Sequence, residues 1–103
     1  MKLTLRHGIV IDEQRIASFC RKHGIRNLSL FGSILREDFS AQSDVDVLVE
    51  FAPARAPGWI GFAALALELE TIIGREVDLR TPADFSETIR RRVLSEAELQ
   101  YAA

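Results

Sequence analysis

The sequence predicts an α/β fold, a small mixed β-sheet of about three strands flanked by helices. Two patterns carry that expectation. Asp44–Phe51 opens with alternation and continues as an apolar run, and a shorter segment of the same kind recurs at 76–80. The stretches 13–23 and 59–73 place apolar residues at helical spacing instead, and each is followed by a glycine suited to end a helix. The expected order is helix, strand, short helical turn, strand, helix, strand, helix. A short polar connection between the first two strands permits antiparallel pairing, and the helix before the third permits a parallel crossover.

Taken in order, Met1–Val10 alternates loosely through Leu3, Leu5 and Ile9, as a short edge strand or a frayed arm would. Asp12 is suited to cap the first helix, because its carboxylate can accept the free amides of the first turn. Ile11 and Ile16 stand at the positions of a hydrophobic staple; Ile16, Phe19 and Cys20 form the apolar face, and Gly24 closes the helix. Ile25–Phe31 reads as a strand that Gly32-Ser33 ends, with a single helical turn after it. Residues 39–43 are turn-forming, and the prolines of 52–58 require a loop. The 59–73 helix carries a core stripe of Phe62, Leu65, Leu69, Ile72 and Ile73. Its first half, WIGFAALAL, is apolar almost all round, which suits either a well-buried helix or a partner surface; burial is the simpler expectation. Pro82 ends the third strand, and Asp84 or Ser86 can cap a last helix through about Leu94. On that helix Arg90, Arg91 and Arg92 read as a solvated face. The tail 95–103 has no pattern, and Tyr101 either packs or is exposed.

With 103 residues the chain has room for one core, so 1–103 is expected to be a single domain. A net charge of -2 argues against holding nucleic acid by bulk electrostatics, and no direct nucleic-acid binding is expected. One cysteine, Cys20, excludes an internal disulfide and fits a reducing compartment. The start of the chain lacks the apolar core of a signal peptide, and Trp59–Leu67 is far shorter than the ~20 residues a membrane span needs. A cytoplasmic protein with no membrane partner is the expectation.

The chemistry concentrates in Phe31–Phe51. Alternation places Asp44 and Asp46 on one face of a strand, where two carboxylates repel and resist unpaired burial. Asp78 adds a third acid in an apolar β-segment; if its strand pairs beside the first two acids, three carboxylates converge. Such a cluster calls for a cation. All-oxygen ligands suit Mg²⁺ or Mn²⁺, whereas His7 and His23 are isolated and expected at the surface, which disfavours zinc. The Gly32-Ser33 turn can offer amides and a hydroxyl to phosphate oxygens. Together these residues point to metal-dependent phosphoryl or nucleotidyl transfer.

Gly32-Ser33, ten intervening residues, Asp44-Val45-Asp46 and then Asp78 in VDL resemble the nucleotidyltransferase fold of the DNA polymerase β superfamily. Within it, the short chain resembles the minimal nucleotidyltransferases (MNT), antitoxin-type partners of HEPN-domain proteins, over about Asp12 to Leu94. The resemblance implies that Gly32 and Ser33 hold the triphosphate of a nucleotide and that Asp44 and Asp46 bind the metals. Asp78 would complete the metal site and help activate the attacking hydroxyl. Arg36 matches a position often basic in the group and would assist phosphate binding. Arg80 stands where an apolar residue is expected, as a phosphate contact or a strand-end charge. By the same analogy the chain is an antitoxin that transfers AMP from ATP to a tyrosine of a HEPN-type RNase toxin. Two alternatives remain at this level: a catalytically silent module that neutralises its partner by contact, and a small-molecule nucleotidyltransferase resembling the aminoglycoside-modifying members.

Overall fold

The computed structural model describes residues 3–103, with side chains from His7 onward; Met1 and Lys2 lie outside the described residues. Its elements run β1 (Leu3–Arg6), β2 (Ile9–Asp12), α1 (Glu13–His23), β3 (Ile25–Phe31), β4 (Val45–Phe51), α2 (Trp59–Ile73), β5 (Val77–Arg80), α3 (Glu87–Glu96) and β6 (Glu98–Ala102). Single 3-10 turns occupy Gly32–Leu35 and Pro82–Asp84.

The local signals act as their chemistry dictates. Asp12 Oδ1 accepts from the amides of Gln14 at 3.0 Å and Arg15 at 3.3 Å, so α1 begins on a side-chain cap. Gly24 ends it at φ 69°, a conformation that costs a residue with a Cβ. Ile11, Ile16, Phe19 and Cys20 are all buried, as the staple and apolar face require.

Four strands form one mixed sheet in the order β5-β4-β3-β6. β3 pairs antiparallel with β4, and β4 parallel with β5 across the α2 crossover, both as the connection lengths allow. One face of the sheet is the core: Leu28, Leu30, Val45, Val47, Val49 and Leu79 lie there against Ile16, Phe19, Leu65, Leu69 and Ile73 of the helices. Strand alternation therefore turns Asp46 and Asp78 to the opposite face.

Three features depart from the sequence expectation. The N-terminal segment is a hairpin, not a lone strand or arm: β1 and β2 form a separate two-stranded sheet, with His7 at φ 50° and Gly8 at φ 78° in the two-residue turn. Positive φ at both positions matches the twist of a tight hairpin. The tail expected to be patternless supplies β6, which pairs antiparallel with β3 and packs the half-buried Tyr101 against the core. The start of α2 is not buried, since Trp59 is 95% and Ile60 88% exposed, although Leu65 of the same half packs into the core. Only Leu65, Leu69 and Ile73 of α2 are fully buried, because the sheet offers the helix one side and the surplus apolar residues face outward.

Two outward amides at the β5 edge are taken by side chains. Glu70 Oε2 accepts from the Val77 amide at 3.0 Å, and Asp84 Oδ2 accepts from the Thr81 amide at 2.9 Å. Both amides sit on the outer side of the strand, so two carboxylates occupy positions another strand would use. Among the described residues no helix is long and apolar enough to cross a membrane.

Candidate functional site

The site is built from the ends of β3, β4 and β5. Register places Phe31 opposite Asp46 and Asp46 opposite Asp78, one row across three strands. Adjacent strands lie about 4.8 Å apart, so Asp46 and Asp78 are immediate neighbours. Asp44 stands just before β4 and is exposed, while Asp46 and Asp78 are half-buried.

Gly32 and Asp46 are fitted to one another. Gly32 has φ +71°, and a Cβ built there would collide with Asp46 Oδ2 and reach Asp46 Cγ at 3.1 Å. Absence of a side chain therefore lets the carboxylate lie against the turn, where the Ser33 amide donates to it. The Gly-Ser turn and the acid pair, 10 residues apart in sequence, are thus one structure.

Electrostatics mark Asp46 as the strained member of the cluster. Burial pushes its carboxyl above the usual carboxylate range, the negative charges of Asp78 and Asp44 push the same way, and the Ser33 amide and Arg36 oppose them. A cation among these acids would remove the repulsion, and the donor set is entirely oxygen, so the residues fit a hard divalent ion. As the side chains stand, no three His, Cys, Asp or Glu among the described residues are arranged to hold a metal. Both oxygens of Asp78 engage Arg80: Nε to Oδ1 at 2.9 Å and a terminal nitrogen to Oδ2 at 3.3 Å. Arg80 is thereby an ion-pair partner of the third acid, and that contact raises its own pKa.

Arg36 follows the turn and faces solvent, paired with Asp38 at 3.2 Å rather than with the acids. Among the last arginines, Arg90 donates to Pro82 O at 2.8 Å and Phe85 O at 3.0 Å, pinning the turn before α3. Arg91 and Arg92 make exposed pairs with Glu87 and Glu96 on the same helix, a solvated face. The histidines are less isolated than expected. His23 meets Glu68 at 3.1 Å and the Phe19 ring; His7 meets Ile34 O at 3.0 Å and stacks on Phe39.

One positioning residue escapes sequence reasoning. Arg75 donates to Ser43 O at 2.7 Å, Ser40 O at 3.0 Å and Ala41 O at 3.2 Å. It also lies over the Phe39 ring, so one guanidinium organises the loop that delivers Asp44. Nothing in the local sequence distinguishes it, because its partners are backbone carbonyls more than 30 residues earlier.

An acid row on the open face of a mixed sheet, abutting a glycine-serine turn, is the layout of a nucleotidyltransferase. The chain belongs to that family: the family described as polymerase beta, nucleotidyltransferase, matches residues 14–102. A relative from Thermococcus cleftensis, named protein adenylyltransferase MntA, is 35% identical over 75 residues, covering 73% of this chain and 74% of the relative. The crystal structure of a toxin-antitoxin with AMP-PNP superposes with a TM-score of 0.71 at 22% identity, covering 89% of this chain and 74% of that one. A tri-AMPylated Shewanella oneidensis HEPN toxin in complex with its MNT antitoxin gives 0.63 at 22% identity, covering 88% and 70%. At that identity the two structures speak for the fold.

Proposed function

We propose that this chain is a metal-dependent nucleotidyltransferase that moves AMP from ATP to a tyrosine hydroxyl of a HEPN-domain toxin, and so acts as its antitoxin. The observation that carries this reading is the fit of Asp46 against Gly32 and the Ser33 amide, beside register-paired Asp78. The groups suited to phosphate and those suited to a cation lie together, which supports the reading. Support for the protein acceptor comes from the Thermococcus cleftensis relative named a protein adenylyltransferase and from the AMPylated HEPN toxin bound to an antitoxin of the same fold. AMP-PNP in the other toxin-antitoxin structure supports ATP as donor.

In this reading Asp44, Asp46 and Asp78 hold Mg²⁺ or Mn²⁺, which supplies charge stabilisation to the α-phosphate and the leaving oxygen when bound. Gly32 and Ser33 receive the triphosphate through backbone amides and the Ser33 hydroxyl, and Arg36 adds a positive charge. Asp78 orients the acceptor hydroxyl once Arg80 releases it. The acceptor oxygen forms a bond to the α-phosphorus, and the bond to the bridging oxygen breaks. Pyrophosphate departs with that electron pair, and the hydroxyl proton passes to a carboxylate or to solvent. The chain works as one domain in a cytoplasmic setting, consistent with its free, buried Cys20.

A second reading, neutralisation by contact alone, is favoured by the exposed apolar start of α2. One experiment separates the two. The protein is mixed with Mg²⁺, labelled ATP and a HEPN-domain protein from the same genome, and compared with Asp44→Ala/Asp46→Ala. Label on the partner with wild type and none with the variant is the expected result. Neutralisation by the variant with no label transfer by either protein would overturn catalysis in favour of contact.

A further inference from the structure

Where the end of β5 meets the start of α2 lies a cleft of about 490 Å³ whose lining includes Trp59, Phe62, Leu79, Arg80, Thr81 and Asp84. Its walls are aromatic and aliphatic, and Trp59 and Ile60 extend the apolar surface outward at the start of α2. A tryptophan this exposed is uncommon in a free-standing surface, and buried aromatics dominate binding energy at protein interfaces.

The cleft and the reaction centre share a side chain. Arg80 is one of the residues lining the cleft, and its guanidinium holds both oxygens of Asp78, so an occupant touches the residue that engages the third acid. Two further observations choose the occupant. The Val77 and Thr81 amides at the edge are taken by Glu70 and Asp84, so a partner binds here through side chains rather than by adding a strand. Asp84 lines the cleft, and Asp78, Asp84 and Asp46 all act on the charge of Arg80 in its wall, so pairing two copies across it would bring like charges together. A different protein, presenting an apolar side chain flanked by basic residues, has no such penalty.

We propose that this cleft, with Trp59 and Ile60, is the acceptor-docking surface: the modified protein seats an apolar side chain there and so brings its hydroxyl over Asp78. The inference rests on the AMP-transfer reading and names the surface that selects its substrate. Displacement of Arg80 from Asp78 by the docked protein would couple acceptor binding to completion of the acid cluster.

The test uses the full chain carrying Trp59→Ala/Ile60→Ala, two exposed positions whose truncation leaves the core intact. Three quantities are read: the melting temperature, the Mg²⁺-dependent release of pyrophosphate from ATP without a protein acceptor, and titration with the HEPN-domain protein. The first two are expected to match wild type, while affinity and kcat/KM for the protein acceptor fall at least ~tenfold, as for truncation of an interface anchor. Equal labelling and affinity in variant and wild type would overturn the docking surface and leave AMP transfer standing. If wild type labels nothing, the transfer reading fails, and the titration alone decides the surface: selective loss of binding supports it, and binding equal to wild type, or absent from both, overturns it. Loss of a self-associated species on sizing chromatography, with partner affinity unchanged, would reassign the patch to contacts between copies.

Discussion

Gly32→Ala tests the coupling between turn and acid with an internal control. Gly32 and Gly74 both have positive φ, +71° and +80°, so alanine at either position meets the same backbone penalty of about 1–2 kcal/mol. In a chain of this size that corresponds to a melting temperature lower by roughly 5–15 °C. Around Gly74 a Cβ meets nothing within 4 Å, whereas at Gly32 it collides with Asp46 Oδ2 and lies 3.1 Å from Asp46 Cγ. The Asp46 carboxylate must move by about 1 Å to relieve the collision, and a displacement of that size at a reacting centre can lower rate by about 100-fold. Moving Asp46 also weakens its bond from the Ser33 amide but relieves part of its burial, so the extra stability loss is small beside the loss of activity. Thermal unfolding and label transfer from ATP are measured on both variants. Similar melting temperatures with activity lost only in Gly32→Ala is the expected pattern. Comparable activity in the two would refute the claim that the glycine exists to seat Asp46.

Arg80→Ala should strengthen Mn²⁺ binding, because Arg80 occupies both oxygens of Asp78. For a half-exposed pair worth about 0–1 kcal/mol the gain is up to roughly fivefold, read by calorimetric titration, and weaker binding in the variant would refute competition between Arg80 and the metal for Asp78. Burial pushes the Cys20 thiol up to about 12 from its ordinary 9.0. Native protein should therefore resist a thiol reagent at pH 8 that labels the urea-unfolded chain at once. Because the folded state disfavours the thiolate, its stabilising contribution is complete below pH 9.0 and is lost as pH rises toward about 12. Ending the chain after Ala97 removes β6 and leaves β3 as an open edge over a core that includes Leu28 and Leu30. Loss of a cooperative melt by circular dichroism is expected, and a melt within ~3 °C of the full chain would contradict it.

The residues that could be read without a structure are those whose partners are close in sequence. Asp12 caps an amide two residues away, Gly24 and Gly74 close the helices they follow, and strand alternation orients Asp46 within its own segment. Tyr101 shows the opposite case. The strand that contains it, ELQYA, has no clean alternation and becomes a strand only because β3 offers an edge some 70 residues earlier. Trp59–Leu67 misled for a related reason: composition measures how apolar a helix is, while burial depends on how many of its sides meet another element. One side of α2 meets the sheet, and Trp59 and Ile60 are left facing outward.

By itself, then, the sequence indicated an α/β fold and singled out Gly32-Ser33, Asp44, Asp46 and Asp78 as candidates, because capping, periodicity and spacing are short-range properties of the chain. Tertiary structure alone decided that Asp46 lies against Gly32, that Arg80 occupies Asp78, and that Arg75 shapes the loop before Asp44. It likewise decided which apolar residues of α2 remain exposed beside the cleft. Each of these depends on strand register or on a long side chain reaching a distant backbone, and both are settled only when the sheet closes over its core.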